Sequence, residues 1–243
     1  MSEFTYDLHT HSCLSPCGDN DNTPNNIAGM ASVSGIDILA LTDHNTCKNC
    51  PAFFEAAKRY GIIPIAGMEL TTSEDIHIVC LFEHLSDAMR FDEAVGEHRI
   101  FIKNRPEIFG EQLILDGEDN VIAEEEYILT NATDLSVEDV PNLVQSFGGI
   151  CYPAHIDRDA NGIIAVLGTL PPTPHFSHVE LRDISLRNEY IQKYGLEDTI
   201  ILTGSDAHYL ENIGDSADTV LLDADRSDAD AVRRNFFKML GEL

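Results

Sequence analysis

The sequence predicts an α/β fold closed into a TIM-like barrel of about seven strands, on three observations. First, short runs rich in Val, Ile and Leu, at 36–41, 62–66, 76–82, 149–152, 199–203 and 219–222, alternate with helical patterns. Such runs suit strands buried on both faces, and their alternation with helices favours parallel βα units. Second, a His, Asp or Glu follows almost every run. In a barrel all strand C-termini meet at one mouth, whereas an open doubly wound sheet spreads them over its width. Third, a chain of 243 residues that is 43% hydrophobic can bury one full core, so 1–243 is read as a single domain.

The elements follow in order. Phe4-Thr5-Tyr6-Asp7-Leu8 is the first strand and ends on His9-Thr10-His11. Thr23-Pro24 opens a helix that Gly35 closes, and Pro51 opens the next, with Gly61 after it: Pro suits a first turn and Gly the left-handed residue past the last. The rhythm breaks over about 83–135. That stretch reads as a helical segment, then a hairpin from Gln112 to Ile122 around Asp116-Gly117, then a solvated helix start at Glu124-Glu125-Glu126. It is expected to be an insertion lying over the mouth. Pro171-Pro172-Thr173-Pro174 is a loop.

Charge and composition narrow the partners. With 15 basic against 42 acidic residues, the formal charge of −27 repels polyanions, so long nucleic acid is disfavoured as a partner. A small phosphorylated substrate remains compatible, because bound ions set the local field at a metal site. No run reaches 18 apolar residues, and Met1-Ser2-Glu3-Phe4-Thr5 lacks the regions of a signal peptide, so no membrane association and a cytoplasmic location are expected. Six cysteines then read as reduced thiols or metal ligands.

The chemistry-bearing residues sit where strands leave the core. His9 and His11, at i and i+2, share one face of an extended segment and can reach one ion; Asp206 and His208 repeat that spacing after the run at 199–204. Asp43-His44 follows the run at 36–41, Glu69 follows 62–68 and can bridge two ions, His77 lies at the start of an apolar strand, and His155 closes Ile150-Cys151-Tyr152-Pro153-Ala154. Taken singly, each has a plain alternative: a cap acid for Glu69, Asp43 or Asp206, a satisfied core histidine for His77. Asp43 equally fits a residue that orients a neighbouring histidine. Arg158 and Arg182 both follow strands and match phosphate geometry, though Arg is also a common surface ion-pair residue. His84, His98, His175 and His178 have no such placement.

Taken together, Tyr6-Asp7-Leu8-His9-Thr10-His11, Leu41-Thr42-Asp43-His44-Asn45, Gly67-Met68-Glu69-Leu70, Ala154-His155 and Gly204-Ser205-Asp206-Ala207-His208 resemble, in order and over nearly the whole length, the motifs of the PHP (polymerase and histidinol phosphatase) superfamily. The resemblance implies a distorted seven-stranded (β/α)7 barrel with two or three divalent ions, Zn, Mn or Fe, at its strand C-termini. It implies one ion on His9, His11, Glu69 and Asp206, a second on Glu69, His77 and His155, and a third on His44 and His208. The pattern departs at that third position, where this chain has Cys17-Gly18-Asp19: Cys17 would favour Zn or Fe(II), and Asp19 would leave Mn acceptable. The implied activity is hydrolysis of a small phosphate ester, a nucleotide or other metabolite, by metal-activated hydroxide, with Asp206 or His208 assisting proton transfer.

Two rivals stand beside it. An amidohydrolase acting on a C–N bond also uses His-x-His in a barrel, but typically with a lysine or glutamate after a central strand and a lone late aspartate; here Glu69 comes early and Asp206 is paired with His208. A non-catalytic metal or iron-sulfur module would use Cys13, Cys17, Cys47 and Cys50, two short pairs on neighbouring loops. Cys80 and Cys151, inside apolar runs, read as small core residues.

Overall fold

Residues 1–242 are described by the structure, a computed structural model. Its strands are β1 (Ser2–Asp7), β2 (Ile38–Leu41), β3 (Ile63–Thr71), β4 (His77–Phe82), β5 (Leu113–Leu115), β6 (Val121–Glu124), β7 (Gly149–Pro153), β8 (His178–Leu181), β9 (Ile200–Thr203) and β10 (Asp218–Leu222). Its helices are α1 (Pro24–Val33), α2 (Cys50–Tyr60), α3 (Leu85–Gly96), α4 (Pro106–Phe109), α5 (Val140–Ser146), α6 (Ile163–Leu167), α7 (Arg187–Tyr194) and α8 (Ala229–Glu242). The punctuation holds for the first two helices. Thr23 caps α1 by accepting from the Asn26 amide, and Gly61 ends α2 in the left-handed region at φ 72°.

The architecture is α/β, with a six-stranded sheet in the order β10-β1-β2-β3-β4-β7 and two two-stranded sheets, β8-β9 and β5-β6. The expected run of parallel βα units is only partly present. β1–β2, β2–β3 and β8–β9 are parallel, but β10–β1, β3–β4 and β4–β7 are antiparallel. Residues 72–76 are too short for a crossover, so β3 and β4 form a hairpin. A single seven-stranded ladder is not formed either. Past β7 and β9 the chain turns at His155 (φ 29°) and Asp206 (φ 51°), conformations that cannot continue a strand. Isolated backbone bonds link the two sheets there: the Ile156 amide donates to Glu180 O, the His11 amide to Ala207 O and the Ala207 amide to His9 O.

Period-two alternation divides the core. Leu39, Leu41, Ala66, Met68, Ile78 and Cys80 point to one face, against Ile27, Phe53, Phe91 and Val144 of the helices. Ile38, Ala40, Ile63, Ile65, Val79 and Leu81 point to the other, with Phe4, Leu8, Tyr152 and Phe236 of α8. Each fully buried Leu, Ile or Phe contributes about 1.5–3 kcal/mol. Parity places Glu69 on the face of Ile63 and Ile65, and His77 on that of Val79 and Leu81. The strands therefore carry apolar side chains through the core and polar ones at their ends.

The stretch after β4 holds α3, α4 and the β5–β6 hairpin, which pairs Leu113 with Glu124. Leu113 donates to Cys13 O and Leu115 to Asn49 Oδ1, so the hairpin lies against the loops that follow β1 and β2. Glu124-Glu125-Glu126 does not start a helix. Glu124 ends β6, and the Glu125 carboxylate is buried between Lys48 and Arg99, whose charges hold it there. Among the described residues no helix is long and apolar enough to cross a membrane.

Candidate metal centre

Glu69, at the end of β3 and wholly buried, is the centre of a ring of imidazoles. Its Oε1 lies 2.7 Å from His77 Nδ1, 3.0 Å from His155 Nε2 and 3.3 Å from His9 Nε2. Its Oε2 lies 3.0 Å from His44 Nδ1 and 3.3 Å from His11 Nε2. Asp206 Oδ1 closes the other side, 3.5 Å from His9 Nε2 and 3.3 Å from His11 Nε2. Three overlapping sets have one donor atom per residue within 4.8 Å of one another: His9, His11, Glu69 and Asp206; His44, Glu69 and His77; His11, His44 and His208. The first matches the resemblance. The second differs, because His77 groups with His44 while His155, which contacts Glu69 and packs against the His9 and His77 rings, belongs to none of the sets; the backbone amide of His155 donates to Glu180 Oε1 at 3.0 Å.

Tautomers follow from the hydrogen bonds. Glu180 accepts from His9 Nδ1 at 3.0 and 3.1 Å, so the His9 proton is on Nδ1 and Nε2 is free. Ser15 Oγ gives its own proton to Asp43 Oδ1 (2.7 Å) and therefore accepts from His11 Nδ1 (3.0 Å), leaving His11 Nε2 free. His208 donates Nδ1–H to Asp206 O at 2.8 Å. Two freed Nε2 atoms, of His9 and His11, then face each other at 3.2 Å with carboxylate oxygens around them. Glu69 Oε2 has no hydrogen-bond partner, and His44 Nδ1, though near it, lacks the geometry of a bond. With His9 and His11 neutral, as a bound cation would require, their Nε2 lone pairs converge on the Glu69 and Asp206 carboxylates, and this imidazole-carboxylate set fits Zn, Mn or Fe(II).

Titration follows the same pattern. Burial alone would lower His9, His11 and His44, but the carboxylates overcome it: Glu180, Glu69 and Asp206 hold His9 well above its ordinary value. Asp206 and Glu69 take His11 to about 9, and Glu69 with Cys17 takes His44 to about 9. Against its burial, Glu69 is held well below the usual range by His77, His9 and His44, and Asp206 is lowered by His9 and His11. Burial and the neighbouring His11 push His208 down to about 3, so its imidazole is neutral at pH 7. His155 and Asp206 also occupy the left-handed region, which costs each of them on the order of 1–3 kcal/mol.

Three residues that shape this centre escape a reading of the sequence for ligands. Glu180, in the fully buried run His178–Leu181, orients His9. Asp7 accepts from the amides of Ser205 and Gly214, tying the end of β1 to the segments that carry Asp206. Ser15 links Asp43 to His11 and accepts from the His44 amide. A carboxylate inside an apolar run was the available signal for Asp7 and Glu180. Asp43 lies outside the donor sets and instead fixes the loop after β1, accepting from Ser12 N (2.8 Å), Ser12 Oγ (2.7 Å) and Ser15 Oγ.

The four loop cysteines are not brought together, and no donor set among the described residues contains one. Cys47 and Cys50 both donate to Gly67 O inside the core, Cys13 donates to Leu113 O, and Cys17 is exposed. Burial pushes Cys13 up to about 12 and Cys47 well above its ordinary value, so these thiols keep their protons. A shared cluster therefore has no place here. Asp19 is also outside the donor sets: its Oδ1 accepts from the Asp21 amide within its own turn. Arg158 and Arg182 both reach Asp206 Oδ2, at 2.5 and 3.6 Å, with side chains 42% and 50% exposed. A cavity of about 670 Å³ between Pro64 and Arg233 lies at the opposite end of β3 from Glu69 and belongs to no part of this centre.

A sequence profile described as the PHP domain matches residues 7–148, more than half of the chain. The chain belongs to the PHP domain family. The three donor sets described above lie in a chain of this family, and two of them, His9, His11, Glu69 and Asp206 and His44, Glu69 and His77, fall largely on the matched residues. The chain is 39% identical over 79 residues to a 5′-3′ exoribonuclease of Haemophilus influenzae, a match covering 31% of this chain and 28% of that protein. Its fold is similar to that of endonuclease Q of Pyrococcus furiosus, described as lesion-specific, with a TM-score of 0.64 at 16% identity over 96% of this chain and 55% of the other. It is also similar to a candidate metal-dependent phosphoesterase of Bifidobacterium adolescentis, with a TM-score of 0.56 at 17% identity, covering 84% and 87%. The chain thus spans about a quarter of the exoribonuclease and about half of the endonuclease.

These relatives correct one expectation. The formal charge of −27 does not exclude long nucleic acid, because the proteins this chain is similar to include an exoribonuclease in sequence and, in fold, an endonuclease Q solved with a 27-mer duplex. Net charge sums the whole surface, whereas the edge of this centre carries the guanidinium groups of Arg158 and Arg182.

Proposed function

We propose that this PHP-type hydrolase is a phosphoesterase that cleaves the phosphate ester of a nucleotide unit, free or within a nucleic-acid strand. The position of Glu69 carries this reading. Its carboxylate belongs to two donor sets at once, so it can serve two ions: His9, His11 and Asp206 would hold one with it, His44 and His77 the other, with His155 beside Oε1. Bound there, divalent ions supply Lewis acidity and bring the pKa of a water to near neutrality. The chain's own groups do the rest. Ser15, itself held by Asp43, and Glu180 hold His11 and His9 in the tautomers that present Nε2. Arg158 and Arg182 stand at the exposed edge of Asp206, where a phosphate can take their guanidinium hydrogens. Asp206 is held ionised and His208 neutral, so both offer lone pairs for ligation, and neither holds an acidic proton to donate.

The test is phosphate or nucleotide release from mononucleotides, single-stranded and duplex DNA, and RNA, with Mn, Zn or Fe(II) supplied. Turnover that Glu69→Gln abolishes supports the proposal and ranks the substrates. Metal-loaded protein that cleaves none of them but hydrolyses an amide panel would refute it in favour of the amidohydrolase.

A further inference from the structure

The insertion after β4 carries a polar cleft of its own, apart from the metal centre. Its volume is about 290 Å³, close to the lower bound of about 300 Å³ for small-molecule sites. Acceptors dominate its lining. Glu124, at the end of β6, pairs with no cation among the described residues, and Glu111 Oε2 meets only the Asn20 side-chain amide, at 2.9 Å. Glu126 has Lys103 at 3.1 Å, in an exposed pair of the kind that contributes little. Glu125 is taken up by Lys48 and Arg99. Asn104, in the same lining, points to a ligand. It is 8% exposed; Nδ2 donates to Gly110 O at 3.0 Å, while the buried Oδ1 accepts from nothing. A buried acceptor left unpaired costs about 1–3 kcal/mol, so this oxygen calls for a donor.

A matching ligand brings positive charge and N–H donors, and no acceptors. A metal ion fits poorly, because among the described residues no three of these carboxylates bring oxygens within 4.8 Å of one another. A linear amine fits better: its ammonium groups are spread along a methylene chain, each with N–H donors and no acceptor, and Pro106 offers the methylenes an apolar contact. The formal charge of −27 draws such cations to the surface, and the cleft decides where they stop. We infer that this cleft binds a linear di- or polyamine, with its ammonium groups on Glu111 and Glu124 and one N–H donated to Asn104 Oδ1. Lys103 competes for the same place, so its pair with Glu126 gives way as the amine enters.

The test is calorimetric titration of the Zn-loaded protein with spermidine at about 0.15 M salt, where exposed charges are screened over about 8 Å. Loading the metal centre first keeps its carboxylates from competing for the amine. Binding at a single site is expected, with the Asn104 side-chain amide signals shifting in NMR as it fills. Glu111→Gln combined with Glu124→Gln should weaken it at least about tenfold, as the loss of two charged hydrogen bonds requires, while Lys103→Gln should tighten it about threefold. Glu138→Gln combined with Glu197→Gln, exposed acids outside the cleft, should leave it within about twofold. An equal loss in that control pair overturns the site in favour of diffuse attraction to an acidic surface. Displacement of spermidine by stoichiometric Mg(II) or Ca(II) overturns it in favour of an ion. Absence of binding, or binding only of a Lys- and Arg-rich peptide at the same residues, overturns it as well.

Discussion

Replacing Glu180 by Gln tests whether a residue one shell from the ions sets their affinity. Glu180 Oε1 accepts from His9 Nδ1 and the His155 amide, both at 3.0 Å, and Oε2 lies 3.1 Å from the same His9 nitrogen. Glutamine keeps one acceptor but sets an NH2 group against the other contact, and it removes the charge. Hydrogen bonds to charged groups contribute about 1.5–3 kcal/mol against about 0.5–1.5 kcal/mol for neutral ones, so the loss is about 1–1.5 kcal/mol before any donor clash. Metal affinity should therefore fall about 10- to 100-fold, the range for partners that orient metal-bound histidines. The assay is competition with a chromophoric chelator at neutral pH, with the ring nitrogen shifts of His9 read by NMR. A purely structural role would lower thermal stability and leave both unchanged. Affinity within twofold of wild type, with the His9 tautomer unaltered, would refute the reasoning.

Other perturbations bear on the same centre. In Gly204→Ala the new Cβ would lie 2.6 Å from Glu180 Oε2 and 2.7 Å from His9 Cβ, so stability should drop by about 1–3 kcal/mol in denaturant titration, with weaker metal binding. Asp43→Ala strands the donors of Ser12 and Ser15; a loss of about 2–3 kcal/mol is expected, and unchanged stability would show that water replaces the carboxylate. Metal-free protein should lose stability as pH rises. His11 and His44 sit at about 9 when folded against 6.5 as the ordinary value, so their contribution is complete below about pH 6.5 and is lost through pH 9. The lowered carboxylates Glu69 and Asp206 stay ionised across that window. Metal affinity should climb over the same range, by up to about tenfold per pH unit for each proton displaced, and a flat calorimetric profile would contradict this. Arg158→Ala should raise KM for a phosphate substrate about tenfold with a smaller change in kcat; an effect on kcat alone would argue that it acts through Asp206.

The sequence by itself determined which side chains could meet. Period-two alternation in β2, β3 and β4 and the caps of α1 and α2 are local properties, so the apolar runs located the strands and the residues just past them became the donors His9, His11, His44, Glu69, Asp206 and His208. The β5–β6 hairpin was legible for the same reason, in the turn chemistry of Asp116-Gly117. Strand direction was not, because it depends on how the chain returns: five residues between β3 and β4 force a hairpin that an apolar run does not reveal. Glu180 stayed hidden because its partner His9 is 171 positions away, and a buried acid is explained only by what it touches. The cysteine pairs looked alike in sequence, yet Cys47 and Cys50 turn into the core and Cys17 stays exposed. Total charge likewise described the whole surface and not the field at Glu69. Covalent spacing fixes what a segment can present, and only three-dimensional closure decides which groups are desolvated together and so become one site.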